Sequence, residues 1–156
     1  MNRDSQPRLG WREWIALPEL GIPRLECKVD TGARTSALHA FYVEPFQRDG
    51  QKWVRFGLHP AAGSEAPEIH CEAPVTDRRT VTDSGGHRTR RYVITTTVVI
   101  GSRRHRIEIT LTNRDTMRFR MLLGRTALTH GYLVDPSAAH LAGEPGLVSM
   151  KEEGKA

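Results

Sequence analysis

The stretch Lys28-Val29-Asp30-Thr31-Gly32-Ala33-Arg34-Thr35-Ser36-Ala37-Leu38 holds the residue types best suited to acid–base chemistry in this chain. Asp30 follows the apolar Cys27 and Val29, which Lys28 separates. A hydroxyl, a glycine and a small residue come next. That order suits a strand delivering a carboxylate onto a tight loop. Gly32 leaves the bend free of a Cβ, Thr31 offers a hydroxyl to lock the loop, and Ala33 lets a neighbour pack close. The chemistry such a loop serves is done by two carboxylates sharing one proton. Carboxylates about 3 Å apart cannot both ionise, so one acts as acid and the other as base at the same pH.

The element that must carry Asp30 is the run Ile22–Val29. Leu25, Cys27 and Val29 face one way, and Glu26 and Lys28 the other, which is the two-residue period of a half-buried strand. Before it, residues 11–17 read as an edge strand ending at Pro18, and Pro18-Glu19-Leu20-Gly21 as a turn. After it come a strand at 41–44 and an Asp-Gly hairpin turn over 48–51. An alternating strand follows at 52–58, then a Pro/Gly-rich loop over 59–67 and a short strand at 68–72.

Thr80-Val81-Thr82, Asp83-Ser84-Gly85-Gly86-His87 and Arg88–Ile94 predict a hairpin with a glycine-rich tip. Its residues Ser84, Gly85 and Gly86 could offer backbone N–H groups to a peptide. Asp83-Ser84-Gly85 is not a second catalytic loop. It lacks the leading apolar pair, and Gly86-His87 follows where a packing element is needed. The β-branched run 92–100, an alternating strand 104–111, an apolar strand 119–123, a helical turn 125–130 and a strand 132–135 complete the pattern.

Many short strands separated by turn signals, with one short helix near the C-terminus, argue an all-β fold, a small barrel or sandwich. The expected organisation is a disordered lead-in at 1–10, one domain at 11–136 and a polar tail at 137–156. At 156 residues with 38% hydrophobic and 26% charged positions, the composition suits one soluble domain. No apolar run spans a bilayer and no signal-type segment opens the chain, so a cytoplasmic protein is expected. Cys27 and Cys71 are expected to be free thiols. The net charge of +5 is carried largely by arginine, with clusters at 88–91 and 103–106. That sign favours acidic partners.

Asp30-Thr31-Gly32-Ala33, with apolar residues before and Thr/Ser after, resembles the active-site loop of aspartic peptidases, the retroviral type above all. Met121-Leu122-Leu123-Gly124-Arg125-Thr126-Ala127-Leu128-Thr129 is similar to the segment leading into the short helix of those proteases. Trp14–Gly21 and Val29–Ala40 extend the resemblance to a bacterial family of small retropepsin-like proteins. That family carries an ATP-dependent zinc protease label and is associated with ATP-grasp ligases that add glutamates. The resemblance implies a small closed barrel of the retroviral acid-protease type.

One convincing Asp loop makes a dyad only by symmetry, so a C2 homodimer is expected, with Asp30 from each subunit at the axis. By the same resemblance Thr31 bridges the subunits beneath the carboxylates, Gly32 and Ala33 shape the loop and the substrate strand, and an Arg125 ion pair braces the dimer. Arg34 is a departure, a bulky cation beside the loop. With Arg88, Arg90 and Arg91 it points to an acidic or glutamate-tailed substrate and, through the resemblance, to an ATP-grasp ligase as partner.

Two other readings stay open, a zinc-dependent peptidase and a non-catalytic adaptor or regulator of such a ligase. Against zinc, there is no HExxH, and the adjacent His70 and Cys71 of a strand face opposite ways. No cofactor is expected, since no phosphate-cradling Gly-rich loop with a Lys is present. Nucleic acid is disfavoured as a partner. Aromatic content is 6%, and Trp53, Phe56 and Tyr92 read as core positions of strands.

Overall fold

A computed structural model describes residues 6–61, 63–82, 85–113 and 118–146. Its strands are β1 (Arg8–Leu9), β2 (Arg12–Leu17), β3 (Ile22–Val29), β4 (Ser36–His39), β5 (Tyr42–Arg48) and β6 (Gln51–Leu58). They continue with β7 (Ile69–Pro74), β8 (Asp77–Thr82), β9 (Arg88–Ile100), β10 (Arg103–Thr112), β11 (Met121–Leu123) and β12 (Leu133–Val134). One helix, α1 (Arg125–Leu128), precedes β12.

The main sheet runs β10-β4-β11-β3-β2-β9-β8, and a further β9–β10 pairing bends it into a ring. β3 pairs in parallel with β11, and β4 in parallel with β10. β9 makes the closure possible by its length. Its outer half takes β8, its inner end takes β2 at Ile100 and Val99, and its opposite edge takes β10. The sequence divided this run into a hairpin arm and a separate strand, whereas one 13-residue strand spans both.

The ring's interior is the core. Ile15, Leu17, Leu25, Cys27, Leu38, Ile94, Ile100, Ile109 and Met121 are all but excluded from solvent. Each such side chain adds about 1.5–3 kcal/mol of burial. β5, β6 and β7 form a separate three-stranded sheet that buries Val54, Phe56 and Leu58 from one face. Arg48-Asp49-Gly50-Gln51 makes the expected two-residue turn, with Asp49 and Gly50 both at positive φ (53° and 76°), as a type I′ hairpin requires.

The structure departs from expectation at β2 and Trp53, and shows further contacts near both ends of the described residues. β2 is an interior strand of the ring, paired on both edges, because Leu17 sits in the core and the Pro18–Leu20 turn folds the chain back before Pro18 can act as an edge. Arg8–Leu9 pair in parallel with β12, and Leu9 is fully buried. The start of the tail is docked on the barrel. Glu13, with no solvent exposure, accepts hydrogen bonds from the N–H groups of Gly10 (2.6 Å), Leu141 (2.9 Å) and Ala142 (3.1 Å). Trp53 leaves the core for the solvent face of β6, where Arg48 stacks on it at 4.4 Å and Phe46 lies beside it.

Candidate active site

β3 ends where the sequence places Asp30, and β11 fixes the exit. Cys27, Lys28 and Val29 pair with Met121, Leu122 and Leu123, and the Asp30 N–H then donates to the Leu123 carbonyl at 2.9 Å. Parallel strands cannot be joined by a tight turn, so the segments after each strand run side by side. The loop after β3 and the start of α1 are stitched together. The Arg125 N–H donates to Ala33 O (2.8 Å) and the Thr126 N–H to Arg34 O (3.0 Å). The Gly124 N–H donates to Ser36 Oγ at 3.0 Å. A Cβ on Gly124 would stand 2.7 Å from the Thr35 carbonyl carbon, so only glycine allows this approach.

Within the loop, the Gly32 N–H donates to Asp30 Oδ1 at 3.0 Å, and the Ala33 N–H to Asp30 O at 3.3 Å. Gly32 is not at positive φ. Its small size matters because a Cβ would lie 3.3 Å from Asp30 Oδ1 and crowd the carboxylate. Arg125 Nη1 donates to the carbonyls of Thr31 and Gly32, each at 3.3 Å. The resemblance gave this arginine an ion pair across a dimer. In the chain itself its guanidinium braces the Asp loop.

Asp30, half-buried, opens on a cleft of about 810 Å³. Gly32, Ala33, Arg34 and Arg125 line it on the loop side, Arg79–Thr82 and Arg91 on the hairpin side, and Thr110 and Leu122 on the barrel side. Thr31 is exposed at the loop's tip and does not line the cleft. The β8–β9 hairpin forms as expected, paired out to Thr82 and Arg88. Its arm meets the cleft, while Gly85 and Gly86 are exposed at the tip, with Gly86 at φ 86°. Ser84 lies outside the described residues.

Sequence reasoning missed Arg79. It faces the cleft from β8 and donates through Nε to Asp77 Oδ2 (2.6 Å) and through both Nη atoms to the Glu108 carboxylate (3.0 and 2.8 Å). Those bonds raise the Arg79 pKa, and the Arg79 bond, with the Arg78 N–H, holds Asp77 below the usual range. The spacing Asp77-x-Arg79 on one strand face was the available signal. The third partner comes from β10 and could not be read from it.

Among the described residues, no three His, Cys, Asp or Glu side chains group to hold a metal ion. Cys71 is buried and His70 is exposed, as their adjacency in β7 requires. Burial pushes both the Cys27 and Cys71 thiols up to about 12. No helix among the described residues is long and apolar enough to cross a membrane.

Residues 8–145 match the family described as RimB-like, retropepsin-like aspartic endopeptidase RimB. The chain belongs to this family. It is 44% identical over 149 residues to a Shewanella pealeana protein named probable alpha-L-glutamate ligase, covering 96% of this chain and 32% of that protein. A Parasynechococcus marenigrum protein of the same name is 46% identical over 136 residues, covering 87% of this chain and 29% of its own length. The chain thus spans about a third of the curated relatives it matches. A solved Legionella pneumophila structure of unknown function superposes with a TM-score of 0.74 at 24% identity, covering 88% of this chain and 99% of that one. That likeness concerns the fold.

Proposed function

We propose that this chain is an aspartic endopeptidase whose dyad forms across a C2 homodimer, one Asp30 from each subunit. The observation that carries the reading is Asp30 at the cleft, on a loop that α1 and Arg125 brace. One Asp30 carboxylate takes a proton from water, whose oxygen attacks the peptide carbonyl carbon. The other Asp30, protonated, gives its proton to the carbonyl oxygen. In the collapse of the resulting diol the C–N bond breaks. The leaving nitrogen takes the proton held by the first carboxylate, and a diol hydroxyl reprotonates the second. Thr31 bridges the subunits, Gly32 and Ala33 shape the substrate strand, and Gly85 and Gly86 cover it from the hairpin tip.

An acidic or glutamate-tailed protein is the substrate class. Arg34, Arg79, Arg91 and Arg125 line the cleft against one acid, Asp30, and a cleft with one sign of charge concentrates the opposite sign. The ligase name of the longer relatives supports a glutamate-adding ligase as partner. The test is cleavage of a poly-glutamate-tagged protein against its untagged form. The tagged form is cut faster, and Asp30→Asn lowers the rate about a thousandfold. Equal rates overturn the preference.

The relatives' greater length and ligase name favour a second reading, an adaptor of that ligase. An adaptor keeps its effect on ligase activity in Asp30→Asn, and a peptidase loses its own.

A further inference from the structure

The four arginines of the cleft are not equivalent. Arg125 is committed to the Thr31 and Gly32 carbonyls. Arg91 is 9% exposed, with Nε on Thr89 Oγ1 at 3.0 Å. Arg79 stands opposite Arg91 in the β8–β9 register, where two like charges repel. Asp77 and Glu108 offset that repulsion. Glu108 reaches across β9 from its place opposite Thr95 and presents both carboxylate oxygens to the Arg79 fork. This is the bidentate geometry a substrate glutamate would seek. The Arg34 side chain is exposed and makes no hydrogen bond or ion pair with any described residue.

We propose that Glu108 sets the specificity of the cleft by occupying Arg79 as a built-in carboxylate, so that Arg34 alone among the lining arginines reads a substrate carboxylate. Glu108 is then a specificity-determining residue that acts through Arg79 and does not touch substrate. The inference rests on the acidic-peptide reading above and adds to it which cation is used and what restrains the other. Glu108→Gln removes the competing charge and releases Arg79 to the peptide. Arg34→Gln removes the reader.

The experiment measures binding of a fluorescein-labelled oligo-glutamate peptide by anisotropy, with an oligo-glutamine peptide of equal length as control. Every protein is the full chain carrying Asp30→Asn, so nothing is cleaved. Arg34→Gln weakens oligo-glutamate binding about tenfold, the scale of a hydrogen bond to a charged group. Glu108→Gln tightens it about threefold, and Arg79→Gln added to Glu108→Gln cancels that gain. Oligo-glutamine binding stays unchanged in all of them. Unchanged or weaker oligo-glutamate binding in Glu108→Gln overturns the inference, as does Arg79→Gln alone costing as much as Arg34→Gln. Arg34, exposed and outside the Arg79 pair, keeps the test meaningful if a variant in that pair loses the fold. If the parent protein binds both peptides equally, the acidic-substrate reading itself falls, and this inference with it.

Discussion

Gly124 and Glu13 show how much of this molecule rests on single side chains. Replacing Gly124 by Ala drives a methyl into the Thr35 backbone, which has no rotamer to yield. The expected cost is about 1–3 kcal/mol, read as a lower urea midpoint, together with loss of whatever activity Asp30 supports. Glu13 satisfies three N–H groups. Glu13→Ala leaves them without an acceptor and costs about 3 kcal/mol. Faster amide exchange at Leu141 and Ala142 is the local readout. Neither role was legible from the sequence. Gly124 stood inside an apolar motif as a marker of resemblance, and Glu13 lay unremarked in a stretch read as an edge strand. Asp30 was legible because its neighbours, Cys27 and Val29 before and Gly32 after, are local. The acceptor of Gly124, Ser36, and two of the three donors to Glu13, Leu141 and Ala142, lie far along the chain.

Among the elements, those written in local patterns were found where expected. β3, β6 and β10 show two-residue alternation, and the β5–β6 turn shows Asp-Gly. β1 and the docked segment after Pro136 were missed, because each is short and held by partners distant in sequence. The contact between β10 and the segment before β12 has a pH signature. His105 of β10 stacks on His130 at 4.4 Å, and its Nε2 lies 2.7 Å from the Tyr132 hydroxyl. Burial first, then the nearby His130 and Arg103, lowers its pKa from 6.5 to about 4. The folded protein therefore binds fewer protons at this site than the unfolded chain. Its contribution to stability is present above about pH 6.5 and is lost as the pH falls toward about 4. Chemical denaturation at pH 7 and pH 5 should show a smaller acid loss in His105→Gln than in the parent. An equal loss places the sensitivity elsewhere.

For the whole molecule, the ring closes through β9, the cleft opens between the Asp loop and the β8–β9 arm, and a single Asp-Thr-Gly loop serves the chain. A dyad made by symmetry predicts a particular dependence on composition. Parent and Asp30→Asn chains are unfolded together in equal amounts and refolded, and peptidase activity is followed as the parent fraction is varied at constant total protein. If each active centre needs an intact Asp30 from both subunits, activity follows the square of the parent fraction and falls to about one quarter at an equal mixture. Activity that falls only to about one half, in simple proportion to the parent chain, means that one Asp30 suffices and contradicts the shared dyad.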